Sequence, residues 1–186
     1  MTASEKTKYH FAESIKELMQ SHSLDKISVT DIVARSGMTR QTFYRNFKDK
    51  YDLVNWYFER LVQKSFKQMG VSYTLKEGLI QKFNFILDEK QFFAQAFQSR
   101  DYNSIVNYDY ETILRFYSDI ISRKTGGALP DDVRFLLEMY CRGSIDMTVQ
   151  WAASGMKRSP EQMAELLTQA LPERLVELLS DLHPDS

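Results

Sequence analysis

The chain has 186 residues, 43% of them apolar, and a net charge of −1. That is room for one large domain or two small ones around a shared core, and it excludes a disordered chain. Seven glycines and four prolines leave few tight turns and disfavour an all-β sandwich or barrel, and one cysteine excludes a disulfide framework and a thiolate zinc site.

The charge is unevenly spread. Residues 1–50 hold nine Lys/Arg against six Asp/Glu, net +3, and the remainder is net −4. Met1 to Lys8 is polar and lacks the apolar stretch of a signal peptide, and no apolar run approaches a membrane span. The expected location is cytoplasmic, with no membrane partner.

Apolar residues recur at helical spacing almost throughout. Phe11, Ile15, Leu18 and Met19 form a stripe that predicts a first helix over about Ser4 to His22. Thr30 is placed to cap a short helix, Asp31 to Ser36, which Gly37 ends in the left-handed conformation; Thr39 then caps a second, Arg40 to Phe47. A longer helix, with Leu53, Tyr57 and Leu61 inward, is expected from Lys50 to about Met69. Thr74-Leu75-Lys76-Glu77 is a capping box that opens the next, with Leu79, Phe83 and Ile86 on one face and a polar break at Asp88 to Gln91 before Phe92, Phe93 and Phe97. A further helix carries Val106 to Ile121 and stops at Gly126-Gly127.

The last third predicts two long helices. The first runs from Asp131 to Ser154, with Val133, Leu136, Leu137, Tyr140, Met147 and Trp151 inward, and ends at Gly155. The second is opened by Ser159-Pro160-Glu161-Gln162 and should kink or break at Pro172, which lacks an N–H and crowds the preceding turn. The expectation is an all-α chain. A three-helix domain over residues 1–48 precedes a larger sensing and dimerising body over 49–186.

Thr30 to Lys50 carries the functional information. Two short helices joined by a turn containing Gly37 have helix-turn-helix spacing. On the second, Phe43 and Phe47 point into a core with Phe11, Ile15, Ile27, Ile32 and Val33, leaving Arg40, Gln41, Tyr44, Arg45 and Lys48 outward. Such a face suits the major groove: Arg donates two bonds to guanine, Gln pairs with adenine, and Tyr and Lys reach phosphates. The same side chains also suit an ordinary solvated helix, so spacing alone leaves a DNA reader and a helical protein-binding adaptor both open.

The stretch Val29 to Leu53 resembles the DNA-binding signature of the TetR family of bacterial regulators, through Ala34, Ser36-Gly37, Phe43-Tyr44, Phe47, Lys50 and Leu53. The resemblance implies that Thr39, Arg40, Gln41 and Thr42 meet bases or nearby phosphates, that Tyr44 and Lys50 meet phosphate, and that Thr30 and Arg45 belong to the same DNA-facing set. It also implies a homodimer on a near-palindromic double-stranded operator. The dimer would use the last two helices, with Leu136, Tyr140, Gly143, Met147, Trp151, Leu166, Leu167 and Leu171 as candidates. Family members usually bind a small molecule in the body, where Phe83, Phe92, Phe97, Tyr110, Phe116 and Tyr117 could line a pocket. For these aromatics, as for the dimer candidates, ordinary core packing is the competing reading.

A narrower similarity, through Thr39 to Arg60 with Asn55-Trp56-Tyr57-Phe58-Glu59-Arg60 and through Trp151 to Met156, is to the regulators of dihydroxyacetone kinase operons. It implies an activator that responds through a partner resembling the dihydroxyacetone-binding kinase subunit; the alternative is a repressor released by an apolar small molecule. No enzyme motif is present: there is no Gly-x-Ser-x-Gly, phosphate loop or His-Glu-x-x-His. No cofactor or metal is expected. His10, His22 and His183 fall on different elements and read as surface, and Cys141 reads as a buried inert thiol.

Overall fold

The computed structural model describes residues 2–182; His183 lies outside them. Among the described residues there are helices and no strand. The first, α1 (Ala3–Leu18), is opened by a capping box between Thr2 and Glu5. It ends four residues before the expected His22. The chain turns there so that Leu24, in a short 3-10 turn, is buried beneath the helices.

The next helix, α2 (Val29–Ser36), starts two residues earlier than expected. Its cap is Ser28, whose hydroxyl accepts from the Asp31 amide while the Asp31 carboxylate accepts from the Ser28 amide at 2.8 Å. Thr30 is therefore no cap and lies exposed in the first turn. Gly37 ends α2 at φ 65°, a conformation that costs a residue with a Cβ about 1–2 kcal/mol. Thr39 caps α3 (Arg40–Asn46) by accepting from the Thr42 amide. Asp49 in turn caps α4 (Lys50–Lys64), which stops short of Met69. Beyond it a 3-10 turn over Phe66–Gln68 brings Phe66 and Met69 into the core.

The body continues through α5 (Leu75–Asp88), α6 (Lys90–Ala96) and α7 (Ile105–Thr125). The α5–α6 break falls at Glu89, inside the polar stretch. After Gly126 and Pro130 comes α8 (Asp131–Ala153), a long helix. Its successor is broken as Pro172 requires, into α9 (Pro160–Gln169) and α10 (Glu173–Leu178). The two last helices are therefore one long rod and one interrupted one.

One apolar cluster runs through the whole fold, from Phe11 in α1 to Leu182. The helices α1 to α3 form a small unit, the reader. Helix α4 packs on α1 at one end and on α5 and α7 further along, so it serves both parts. In the body α9 lies against α5, and α8 against α7, α6 and α10. No helix among the described residues is long and apolar enough to cross a membrane.

Candidate nucleic-acid interface

The orientation of α3 is set by what it buries. Phe43 is 0% exposed and meets Phe11 edge-on, ring centroids 5.3 Å apart; Phe47 packs edge-to-face beside them, 6.4 Å from Phe11 and 5.8 Å from Trp56 of α4. Ile15, Ile27, Ile32 and Val33 complete this small core, all buried. A helix turns 100° per residue, so fixing Phe43 inward turns positions 41 and 45 to the opposite face and 44 to the flank, while Arg40 reaches solvent as the first residue of α3. Arg40, Gln41 and Arg45 are exposed, and Tyr44 is 51% exposed.

The outward side chains are partly organised. Arg40 Nη1 donates to Thr30 Oγ1 at 3.2 Å, and its guanidinium lies 5.9 Å from the Tyr44 ring centroid. Arg40, Thr30 and Tyr44 thus form one cluster bridging α2 and α3. Thr39 and Thr42 share a hydroxyl–hydroxyl bond of 2.9 Å, and Thr39 also holds the Thr42 amide. Their first task is to start the helix. Gln41 and Arg45 have no partner among the described residues.

Lys50 is placed differently from the phosphate contact that the resemblance implies. Its Nζ donates to the Asp25 carbonyl at 2.8 Å and the Ile27 carbonyl at 2.7 Å, two of its three donors. Burial pulls its pKa down, although the Asp25 carboxylate acts the other way. Lys50 therefore ties the α1–α2 connection to the start of α4. No sequence spacing signals this, because the two carbonyls lie 25 and 23 residues upstream.

Polar contacts join the reader to the body. Asp25 Oδ1 accepts from Ser99 Oγ, in the α6–α7 loop, at 2.6 Å and from Tyr51 OH at 3.2 Å. The Ser99 bond leads in holding the Asp25 carboxyl below its usual range, with Tyr51 and the Arg100 amide adding to it. Lys16 of α1 pairs with Glu89 at 2.8 Å, and Tyr57 OH donates to the same carboxylate at 2.7 Å. Burial opposes the Lys16 charge, but bonds to Glu89 and Glu13 outweigh it and raise its pKa. Helix α6 is thus tied to the reader near both ends.

The aromatics expected to share a pocket are dispersed. Phe83 is fully buried against Trp151, with ring centroids 5.2 Å apart; Phe92 packs on Tyr57, and Tyr117 is sealed between Phe116 and Tyr140. Phe116 borders clefts on the α4 side of α7. Phe97 and Tyr110 border a common cleft. Phe83, Phe92 and Tyr117 are core because each fills a contact between elements, which the spacing of aromatics does not distinguish from a cavity wall. Cys141 is also buried, and burial pushes its thiol up to about 12. The His10 side chain is exposed and bonded to the Ser36 carbonyl, and His22 is exposed.

The candidate dimer residues divide in the same way. Trp151, Leu167 and Leu171 are buried within the chain, and Tyr140, also buried, donates to the Leu167 carbonyl. Gly143, Met147 and Leu166 are exposed and Leu136 is half-buried, so Met147 points out of the core rather than into it. Two residues absent from the sequence reading join them: Phe135 at 64% and Met139 at 60% exposure. Phe135, Met139, Gly143 and Met147 recur every fourth residue, a ridge along one side of α8. Beside it lies an apolar groove of about 320 Å³ between α8 and the α9–α10 break, lined by Leu136, Met139, Met147, Leu167 and Pro172 among others.

Family models match both parts of the chain. One described as bacterial regulatory proteins, tetR family, matches residues 13–55, and one described as transcriptional regulator C-terminal region matches 73–173. The HTH-type dhaKLM operon transcriptional activator DhaS of Lactococcus lactis subsp. lactis (strain IL1403) is 34% identical over 84 residues, 45% of this chain. The chain spans 44% of that relative's length. Among solved structures, a dihydroxyacetone kinase operon activator DhaS superimposes with a TM-score of 0.60 at 19% identity, covering 94% of this chain and 96% of its own. A TetR transcriptional regulator from Streptococcus agalactiae 2603V gives 0.66 at 22%, covering 91% and 96%. The fatty acid degradation regulator FadR from Bacillus halodurans gives 0.62 at 16%, covering 89% and 94%. At these identities the structural likenesses establish the fold.

Proposed function

This chain belongs to the TetR family of bacterial regulatory proteins, and from that premise we propose that it is a homodimeric activator of a dihydroxyacetone kinase operon. The observation that carries the DNA-reading part is the solvent side of α3, where Arg40, Gln41, Tyr44 and Arg45 are exposed around a buried Phe43. Arg40 and Gln41 read base edges. Tyr44, Arg45 and the Thr30, Thr39 and Thr42 hydroxyls meet phosphates, and Lys50 acts indirectly by holding the start of α4. The operator is near-palindromic because a two-fold dimer presents two such helices. The exposed ridge and groove on α8 favour that dimer, since a contiguous apolar surface marks an association site.

The kinase operon and the sign of regulation rest on the relative named a dhaKLM operon activator. The signal comes from a protein partner resembling the dihydroxyacetone-binding kinase subunit. The dispersal of the candidate pocket aromatics favours this over release by an apolar ligand. The test is a reporter driven by the promoter of the kinase genes in the source genome. Expression should rise only when this chain and the kinase-subunit-like protein are both present. Equal expression without the partner would contradict the partner assignment, and a fall in expression on adding this chain would make it a repressor.

A further inference from the structure

Helix α8 carries a second pattern beside the Phe135 ridge. Arg134, Glu138, Arg142 and Asp146 recur every fourth residue, so they form a row along the ridge in which the charges alternate. Arg134, Arg142 and Asp146 are exposed and Glu138 is half-buried. Four-residue spacing lets such charges pair along their own helix, yet none of the four makes an ion pair among the described residues. The Arg142 guanidinium lies instead over the Tyr110 ring, 4.1 Å from its centroid, and Asp146 accepts from Gln150 at 2.7 Å.

A two-fold axis across the ridge sets two copies of α8 face to face and antiparallel. It places the charged row opposite its own image, with the order reversed. All four charges then meet opposite charges in one register only. With the axis beside residue 140, Arg134 faces Asp146 of the partner subunit and Glu138 faces Arg142 of the partner subunit, and symmetry repeats both pairs. Sliding one helix past the other by one turn, in either direction, sets arginine against arginine and carboxylate against carboxylate. The favoured register also brings Phe135, 64% exposed, opposite Gly143 and Met147 of the partner subunit, two residues that line the apolar groove of about 320 Å³. At Gly143 nothing stands within 4 Å of where a Cβ would be, which leaves room for the ring.

We infer that α8 packs on α8 of a second copy in this register, with Phe135 of each copy seated at the other's groove, and that the charged row makes the chain select itself over other chains of the same fold. The inference rests on the dimer proposed above and adds its register and its selectivity. Exposed ion pairs contribute little affinity. The row therefore acts mainly through the repulsion that a shifted alignment or a mismatched partner meets. Apolar contact from the ridge and groove supplies the attraction.

The test is charge reversal in the full chain, read by sedimentation and native mass spectrometry at near-physiological salt. Glu138→Arg alone, or Arg142→Glu alone, sets two pairs of like charges across the axis and should raise the dimer dissociation constant about tenfold. Both changes in one chain should restore wild-type dimerisation. An equimolar mixture of the two single variants should form the mixed dimer well beyond the half expected of random pairing. A variant that merely misfolds would give neither the restoration nor the mixed dimer. Wild-type dimers accompanied by single variants that dimerise equally well and mix at random would overturn the register and leave the dimer standing. A wild-type chain that stays at the mass of one copy would overturn both.

Discussion

Arg40 and Arg45 carry the same charge on the same short helix, but their surroundings separate their roles. Arg40 is held by Thr30 and lies beside Tyr44, so its guanidinium is partly pre-positioned. Arg45 is free in solvent. In the operator complex Arg40→Ala and Gln41→Ala should each cost about 1–3 kcal/mol and relax specificity at one base position. Arg45→Ala should weaken binding evenly across sequences and reduce the salt slope by about 1. Binding isotherms on the operator and its single-base variants, over a salt series, separate the two. These residues were legible in the sequence because the alternation of Phe43 and Phe47 with Arg40, Gln41 and Tyr44 defines a helix with two faces. The two carbonyls that Lys50 bonds were not, because a loop far upstream brings them to it.

At the scale of elements, local chemistry marks helix starts well. Thr74 with Glu77, and Ser159 with Pro160 and Gln162, cap where their spacing says they should. The exception is α2, where Ser28 with Asp31 completes a capping box that uses Asp in place of Glu or Gln. Helix ends are harder to read, since α1 and α4 stop where Leu24 and Phe66 are drawn into the core, a tertiary event. The contact between α5 and α7 holds another feature hidden in sequence, a buried ion pair. Lys82 meets Asp109 at 2.6 Å, with side chains 4% and 0% exposed. Asp109 Oδ1 has no partner, and burial pushes the Asp109 carboxyl up against the pull of Lys82. Lys82→Met should destabilise by about 3–5 kcal/mol by stranding the carboxylate, whereas the double change with Asp109→Leu should recover most of the loss. Denaturant unfolding of the three proteins decides this.

At the scale of the whole molecule, the question is how the body and the reader hold each other. The Asp25–Ser99 contact ties the α6–α7 loop to the reader, and Tyr51, whose hydroxyl is pushed up to about 12 by burial and the Asp25 charge, completes it. Because the Asp25 carboxyl is depressed in the fold, its contribution is fully present above the ordinary carboxylate value. It is lost as pH falls through the lower folded value. The stability advantage of wild type over Ser99→Ala should therefore be constant near neutral pH and shrink below about pH 4, as thermal unfolding across pH would record. The α8 ridge makes a separate prediction. Met139→Glu, at an exposed position, should leave the fold intact and shift the solution mass from twice the chain to one chain by sedimentation. Which helices come last was legible in the sequence. Which of their residues face out was not, since Met147 and Trp151 share the same apolar spacing and only the position of α5 and α9 decides between them.

The most direct test of the central claim, that α3 reads a specific operator, is a selection from random duplex DNA at near-physiological salt. It compares wild type with the Arg40→Ala/Gln41→Ala double variant. Wild type should enrich a near-palindrome with half-sites about one helical turn or a multiple apart, and the double variant should enrich none. Enrichment of the same sequence by both proteins, or of no sequence by wild type with only weak salt-sensitive binding, would contradict the reading of α3 as the base-recognition helix.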